Sequence, residues 1–228
     1  MKNKNINEIK NELDKWVKGK GELPYVNDSD VIIPSTLENF QLCPTNGIQQ
    51  NKDEILQFVD LLFGLNNHKI ALEIGLGFYG STHFLWRHIF DKVLTIECDW
   101  NRIREFGRNT FDYYGEWVLK EKSYFIHSKS YEPKAVESVR NILNGNKLDL
   151  LFIDSYHDYK SVLTDFLLYK DLVRSGGIIA FHDILYKQHN EELPKFVEDL
   201  SEGKIDGRTY KVNKIVHSKH LGIGWIGV

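Results

Sequence analysis

Short apolar runs alternate with helical stretches from Lys69 onward, and this alternation constrains the fold more than any other feature of the sequence. We predict strands at residues 70–74, 93–96, 124–126, 148–153 and 178–181. We predict helices between them, at about residues 82–90, 100–114, 135–143 and 162–173. Strands that alternate with helices build parallel βαβ units, with right-handed crossovers and helices on both faces of the sheet. The chain is therefore predicted to be an α/β protein with a doubly wound, mostly parallel sheet.

The two ends of the chain do not follow this alternation. Residues 210–215 and 221–228 are strand-like runs joined by a short polar segment, and we predict that they complete a seven-stranded sheet as an antiparallel pair. A helix that opens at Asp53 and ends at Gly64 begins the main domain, residues 51–228. Residues 1–50 are interpreted as a helical and loop extension, which is expected to cap the domain or to contact a second copy in a homodimer.

Composition and charge exclude several classes of protein. Of the 228 residues, 42% are hydrophobic, which is enough to bury a substantial core. The net charge of −3 lacks the basic excess of nucleic-acid binders, so no nucleic-acid partner is expected. The two cysteines, Cys43 and Cys98, lack metal-site spacing and are typical of reduced thiols in a cytoplasmic protein. The N-terminus has no signal-peptide pattern and no apolar run approaches about 20 residues, so no membrane association is expected.

A glycine-rich loop from Glu73 to Ser81 joins the first strand to the first helix. Its glycines let the backbone approach a ligand closely, and the helix that follows offers free N–H groups to an anion. Glu97 ends the second strand, where a carboxylate can accept hydrogen bonds from ribose hydroxyls. These features are compatible with an adenine dinucleotide and with S-adenosylmethionine, and a strand–helix turn without any ligand is the structural alternative.

Several motifs occur in a fixed order along the chain. They are Gly47-Ile-Gln-Gln50, the loop Glu73-Ile-Gly75-Leu-Gly77, Glu97, Asp154-Ser-Tyr-His157-Asp-Tyr159, Val173-Arg-Ser-Gly-Gly177 and Phe181-His182-Asp183. In this order they resemble the class I S-adenosylmethionine-dependent methyltransferases. More narrowly, they resemble the small-molecule O-methyltransferase group that includes the macrocin O-methyltransferases and the cephalosporin-hydroxylase-like proteins. The resemblance implies a Rossmann-like methyltransferase fold and S-adenosylmethionine as the cofactor.

The resemblance also implies which residues contact the cofactor. They are Glu73, Gly75, Gly77, Gly80, Ser81, Glu97, Ser128, Ser130 and Asp154. The first three would line the methionine and ribose side, and Ser81 would reach the cofactor carboxylate. Glu97 would hold the ribose hydroxyls, and the two serines after the third strand would lie near the adenine. Tyr79 stands where this group often has a further glycine, so the pocket is expected to be reshaped there.

Two aspartates end neighbouring strands. Asp154 follows the fourth strand and Asp183 follows the fifth, and adjacent strands lie about 4.8 Å apart. Two carboxylates that share a cleft repel each other unless a positive charge lies between them. We therefore predict a divalent metal at Asp154 and Asp183, with Mg²⁺ suited to oxygen ligands. A cofactor-facing Asp154 without a metal is the alternative.

The predicted metal site lacks one ligand of its relatives. Related metal-dependent members carry Asp or Asn directly after the second aspartate, where this chain has Ile184. A histidine or water would have to replace that ligand. A metal-bound hydroxyl loses its proton more readily, and a general base completes the deprotonation. His157 is the predicted base, acting beside Asp154, and His182 is the alternative base or a metal ligand.

The predicted function is S-adenosylmethionine-dependent O-methylation of a hydroxyl on a small molecule of the sugar or natural-product type. A NAD-dependent oxidoreductase is an alternative that the glycine loop by itself permits. A methyltransferase-like binding protein without turnover is a further alternative, suggested by Tyr79 and Ile184. The extension over residues 1–50 and the loop over residues 185–194 are expected to shape the acceptor pocket.

Overall fold

Seven strands form one sheet in the computed structural model, which describes residues 7–8, 50–77, 80–103, 123–186, 192–219 and 221–228. The strands are β1 (Ile70–Ile74), β2 (Lys92–Glu97), β3 (Ser123–His127), β4 (Leu148–Ile153), β5 (Val173–His182), β6 (Asn213–Ile215) and β7 (Ile223–Gly227). Their order across the sheet is β3-β2-β1-β4-β5-β7-β6. The first five strands run parallel, whereas β7 is antiparallel to both β5 and β6. The predicted sheet with its antiparallel C-terminal pair is confirmed.

Helices pack on both faces of this sheet. In the described ranges they are α1 (Lys52–Phe63), α2 (Ser81–Ile89), α3 (Pro133–Leu143), α4 (Tyr159–Tyr169) and α5 (Glu192–Ser201). Asn51 caps α1, because its side-chain oxygen accepts hydrogen bonds from the backbone N–H groups of Asp53 and Glu54. Asp158 caps α4 by accepting a hydrogen bond from the backbone N–H of Ser161. Both caps fix a helix start beside the carboxyl ends of the strands.

Each face of the sheet carries its own hydrophobic core. Ile70, Leu72 and Ile74 of β1 face one side, which is covered by α3, α4 and α5. Ala71 faces the other side, which is covered by α1 and α2 and contains the fully buried Trp86. Burial on both faces explains why the central strands are apolar almost throughout rather than alternating with polar residues.

The start of β5 differs from the sequence-based prediction. Val173 was expected on the apolar face of the preceding helix, but α4 ends at Tyr169 and Val173 opens β5 after a short 3-10 turn. Gly176 precedes the strand predicted at residues 178–181, but it lies inside β5. Its left-handed φ of +75° accompanies a register shift between β4 and β5, which is typical of a bulge.

Helix α5 has no counterpart among the predicted helices. Pro194, expected in the loop over residues 185–194, lies in the first turn of α5, so that part of the loop prediction is wrong. Proline is tolerated there because the N–H groups of a first helical turn have no partner within the helix. Leu193, Phe196 and Leu200 are buried at helical spacing, a signal that was present in the sequence.

Some predicted features lie outside the described residues. They are Tyr79, the extension over residues 1–50 apart from residues 7–8 and 50, and the helix predicted at residues 100–114 beyond residue 103. Among the described helices, none combines the length and apolar character that crossing a bilayer requires.

Candidate active site

The glycine-rich loop after β1 lies against the segment that follows β4. Gly75 has a φ of +95°, and a Cβ atom at this position would lie 2.1 Å from the carbonyl oxygen of Asp154. A side chain is therefore excluded at Gly75, both by its backbone conformation and by the close approach. Gly77 and Gly80 have φ values of 65° and 63°, and Gly80 immediately precedes α2, which begins at Ser81. The structure thus places Gly75 directly against Asp154 and Gly80 at the start of α2, whereas the Ser81 side chain is outside the described part.

Glu97 holds this loop from the end of β2. One carboxylate oxygen accepts a hydrogen bond from the backbone N–H of Leu76 at 3.0 Å, and the other accepts from Asp99 N–H at 2.8 Å. The guanidinium of Arg102 lies 3.6 Å from the first of these oxygens. Because a carboxylate oxygen can accept more than one hydrogen bond, both oxygens retain capacity for a ligand hydroxyl.

Glu73 lies beneath the loop rather than on its surface. Its side chain is fully buried, and its oxygens accept hydrogen bonds from Trp86 Nε1 at 3.2 Å and from the Thr95 hydroxyl at 2.9 Å. Burial raises the pKa of Glu73 to about 8, although hydrogen bonds from Thr82 and Thr95 act in the opposite direction. This side chain was predicted to line the cofactor site. In the structure it contacts Trp86 and Thr95 instead and supports the loop from below.

The segments after β3 and β4 are joined through α4. Ser128, a predicted adenine neighbour, is buried and donates its hydroxyl to Glu132 at 2.7 Å. Ser130 is only partly buried, and Asp165 of α4 accepts hydrogen bonds from both Ser130 and Ser155. Burial raises the pKa of Asp165, and these two hydrogen bonds partly oppose the shift. Asp165 thus fixes the two segments relative to each other.

Asp154 and Asp183 lie together with two histidines at the carboxyl ends of β4 and β5. Nε2 of His157 lies 3.0 Å from Oδ2 of Asp183 and 3.7 Å from Oδ1 of Asp154. Nδ1 of His182 lies 3.2 Å from Oδ1 of Asp154 and 3.3 Å from Oδ1 of Asp183. Asp183 has a φ of +57°, a strained value for a residue other than glycine. The structure therefore brings together the predicted metal ligands and both candidate bases.

These four residues fix one another's protonation. Burial lowers the pKa of His157, but hydrogen bonds to Asp154 and Asp183 outweigh it and raise the pKa to about 10. Burial likewise opposes the charge on His182, yet the two aspartates raise its pKa well above the usual range. Burial alone would raise the pKa of Asp154 and of Asp183, but the two histidines lower both. In the absence of a ligand, these mutual contacts favour the charged forms of the two carboxylates and the two imidazoles.

Three members of this group fit a divalent cation. One ligand atom from each of Asp154, His182 and Asp183 can be chosen so that all three atoms lie within 4.8 Å of one another. Oδ1 of Asp183 and Nε2 of His182 are buried and make no hydrogen bond within the described ranges. Carboxylate oxygen and imidazole nitrogen both bind divalent metals, so the donor set suits such an ion. Ile184 is buried and offers no ligand atom.

Gln50 is a member of this site that sequence reasoning missed. It is 1% exposed, and its Nε2 donates a hydrogen bond to Oδ2 of Asp154 at 3.3 Å. The motif Gly47-Ile-Gln-Gln50 contributed to the resemblance, but nothing local in it predicts contact with a residue 104 positions away. Only the packing of α1 against the sheet brings Gln50 to the carboxyl edge.

The residues of this site lie within a stretch that is similar to a known family. Residues 72–184 contain the loop, Glu97 and the acid–imidazole group (Asp154, His157, His182 and Asp183), and they match the family model described as a methyltransferase domain. Over this stretch, just under half of its length, the chain is similar to methyltransferases. Among curated proteins, the chain is similar to the uncharacterized protein R132 of Acanthamoeba polyphaga mimivirus, with 33% identity over 106 residues. That match covers 45% of this chain and 45% of the viral protein, less than half of either.

Solved structures of methyltransferases share the fold of this chain at low sequence identity. The O-methyltransferase TomG from Streptomyces achromogenes, in complex with SAM, is 16% identical with a TM-score of 0.52, covering 78% of this chain and 79% of its own. MycE of the mycinamycin pathway, in complex with Mg and SAH, is 15% identical with a TM-score of 0.52, covering 76% and 49%. An rRNA methylase from Streptococcus thermophilus is 14% identical with a TM-score of 0.54, covering 76% and 95%. At these identities the likeness shows the fold alone.

Proposed function

We propose that this chain binds S-adenosylmethionine at the glycine-rich loop and transfers its methyl group to a hydroxyl of a small molecule. The observation that carries the proposal is the packing of Gly75 directly on the backbone of Asp154. This contact makes the cofactor loop and the acid–imidazole group neighbours. A cofactor on the loop and an acceptor hydroxyl at Asp154 and His157 would then meet within one cleft, as a direct displacement requires.

Glu97 and α2 support the cofactor half of the proposal. The Glu97 carboxylate is fixed by two backbone N–H groups and retains acceptor capacity for the ribose hydroxyls. Gly80 at the N-cap of α2 has no side chain to cap the helix, and the positive end of the helix dipole there favours a cofactor carboxylate. TomG and MycE, which share the fold, hold SAM and SAH respectively, and these complexes support the same cofactor here.

The proton of the acceptor hydroxyl passes to His157 in this proposal. As the acceptor oxygen bonds to the methyl carbon, the bond between that carbon and the sulfonium sulfur breaks and leaves S-adenosylhomocysteine. Nε2 of His157 takes the hydroxyl proton, because it lies within 3.7 Å of both carboxylates and its side chain is 37% exposed. His157 must be neutral to accept a proton, so its pKa has to fall from about 10 once the aspartate charge beside it is neutralised.

Asp154, His182 and Asp183 are the residues proposed to hold a divalent cation. Such an ion supplies Lewis-acid chemistry, which lowers the pKa of a bound hydroxyl. Nδ1 of His182 lies 3.2 Å from Oδ1 of Asp154 and 3.3 Å from Oδ1 of Asp183, so ligand atoms of the three residues are close enough to share one ion. The presence of Mg in the MycE complex supports this choice of ion.

Calorimetric titration with S-adenosylhomocysteine tests the cofactor site. We expect binding to the wild-type chain and an affinity at least about tenfold weaker for Glu97→Gln, because the charged acceptor of the ribose hydroxyls is lost. The matched control is Asp99→Asn, which changes a 44% exposed carboxylate two residues away and should leave the affinity unchanged. Binding of NADH without any binding of S-adenosylhomocysteine would instead favour an oxidoreductase.

Transfer of a radiolabelled methyl group tests the acceptor class. We expect incorporation into members of a panel of sugars and hydroxylated natural products, and loss of that incorporation in Asp154→Asn. Label that enters RNA but no small hydroxylated compound would overturn the small-molecule assignment. Bound cofactor that is never converted across the panel would favour a binding protein without turnover.

A further inference from the structure

Gln50 is held firmly at the edge of the acid–imidazole group. The next residue, Asn51, caps α1 and so fixes where that helix begins. One turn into the helix, the fully buried Glu54 accepts hydrogen bonds from the backbone N–H groups of His217, Ser218 and Gly222. These bonds fasten the start of α1 to the connection between β6 and β7. Gln50 therefore sits on a rigid frame rather than at the end of a loose segment.

Only one of the two polar atoms of the Gln50 amide makes a hydrogen bond within the described residues. Its Nε2 donates to Oδ2 of Asp154, and the opposite amide orientation would place two oxygens against each other, so the assignment of the two amide atoms follows from the contact. Its Oε1 is buried and makes no hydrogen bond in the described part of the chain. A buried amide oxygen without a partner is costly, which is why such atoms are rare outside binding sites.

Two further buried atoms without hydrogen bonds lie in the same group. They are Oδ1 of Asp183, which lies 3.3 Å from Nδ1 of His182 without forming a hydrogen bond, and Nε2 of His182. Together with Oε1 of Gln50, these buried polar atoms around Asp154 are incompletely satisfied within the described residues, which is typical of a ligand site. The carboxylates of Asp154 and Asp183 supply hard anionic oxygens, and an amide carbonyl is a neutral oxygen ligand that Mg²⁺ and Ca²⁺ accept. The chemistry of the set therefore points to a divalent cation.

We propose that Gln50 belongs to the cation site and supplies a neutral oxygen ligand, in place of the side-chain ligand that Ile184 cannot provide. Its amide N–H holds Asp154 in orientation, and its Oε1 turns towards the ion held by Asp154, His182 and Asp183. This inference rests on the proposed cation site and adds a ligand from a helix start far from it in sequence. The segment that leads into α1 would thereby contribute a residue to the site.

Binding of Mn²⁺, followed by its electron paramagnetic resonance signal, tests this role on the full chain without cofactor or acceptor. For Gln50→Leu, which has a similar volume but no ligand atom, we expect affinity to fall about 10- to 100-fold. For Gln50→Glu we expect affinity at least equal to wild type, because the carboxylate keeps an oxygen and its added charge outweighs the lost amide contact with Asp154. Gln57→Leu, on the exposed side of α1, is the matched control and should bind as wild type.

Two results separate the inference from the proposed cation site. If wild type and Asp154→Asn both fail to bind Mn²⁺, the cation site itself is refuted and the role of Gln50 falls with it. If wild type binds, Asp154→Asn does not, and Gln50→Leu binds as tightly as wild type, Gln50 has no ligand role and the cation site stands. Should Gln50→Leu fail to fold, as judged by circular dichroism, Gln50→Glu decides, because weaker binding than wild type in that variant would overturn the proposal.

Discussion

Replacing Glu73 by glutamine is expected to change how the stability of the protein depends on pH. The Glu73 carboxyl is fully buried, and burial raises its pKa to about 8 against the opposing hydrogen bonds from Thr82 and Thr95. In the unfolded chain a glutamate ionises near its ordinary pKa of 4.5. Between these two values the native state keeps a proton that the unfolded state has released. The free energy of unfolding therefore falls as pH rises through this window, by up to about 1.4 kcal/mol per pH unit.

The magnitude follows from the two pKa values. Between pH 5.5 and 7.5 the wild type should lose about 2.5 kcal/mol of unfolding free energy through Glu73 alone. The glutamine side chain of the Glu73→Gln variant cannot ionise, so the variant lacks this loss. Its amide oxygen can accept the hydrogen bond of Trp86 and its amide N–H can donate to the Thr95 hydroxyl, which keeps the local contacts. All other titrating groups are common to both proteins and cancel in the difference between them.

The surroundings of Glu73 reinforce this expectation. The Thr95 hydroxyl also contacts Nδ1 of His83 at 2.7 Å, and Nε2 of His83 contacts the Ser123 hydroxyl at 2.9 Å. Burial, with Arg87 nearby, holds the pKa of His83 well below its usual range, so this imidazole is neutral. His83 therefore carries no positive charge that would stabilise an ionised Glu73, and the proton stays on the carboxyl.

Urea unfolding at pH 5.5, 6.5 and 7.5, followed by tryptophan fluorescence, measures the effect. We expect the stability of Glu73→Gln relative to wild type to rise steadily across the series. The control is Glu137→Gln on α3, where the exposed carboxylate should produce little change with pH. Parallel stability curves for wild type and Glu73→Gln would refute the reasoning, since they would mean that the buried carboxyl binds no extra proton in the native state.

Further substitutions and a metal titration test the rest of the site. Gly75→Ala should cost about 3 kcal/mol of stability and weaken S-adenosylhomocysteine binding, because its Cβ would lie 2.1 Å from the Asp154 carbonyl oxygen; thermal unfolding measures the cost. Gly145→Ala, with a φ of +81° and no neighbour within 4 Å, should cost only about 1 kcal/mol, and equal losses would contradict the steric argument. Glu54→Gln should lower stability by about 2 kcal/mol in urea unfolding, because three backbone N–H groups lose a charged acceptor; no loss would show that those bonds contribute nothing. Mn²⁺ affinity should increase up to about tenfold per pH unit from about pH 6 to about pH 9, because the raised pKa values of His157 and His182 place protons where the ion binds. Calorimetry in two buffers should show that binding releases protons. An affinity that does not change with pH would argue against competition between protons and the ion at these residues.

The sheet architecture, the glycine-rich loop with Glu97 and the pair of aspartates followed from local patterns in the sequence. Strands and helices appear as periods of apolar residues, and alternation of the two permits few topologies other than a parallel, doubly wound sheet. Because parallel strands end at one edge, Asp154 and Asp183 had to be neighbours once their strands were adjacent. The same pattern was present at Leu193, Phe196 and Leu200 of α5, where the helix could have been predicted but was not.

The sequence by itself determined the βαβ order, the glycine loop with Glu97, and the meeting of Asp154 with Asp183, because each depends on residues close in the chain or on strand adjacency alone. Tertiary structure decided that Glu73 is buried beneath the loop and that Nε2 of His157 lies between the two aspartates. It also decided that Gln50 reaches Asp154 across 104 positions. These contacts arise where a helix packs on a sheet. The local spacing of apolar residues does not predict how deeply a carboxyl is buried or where a side chain points across such an interface.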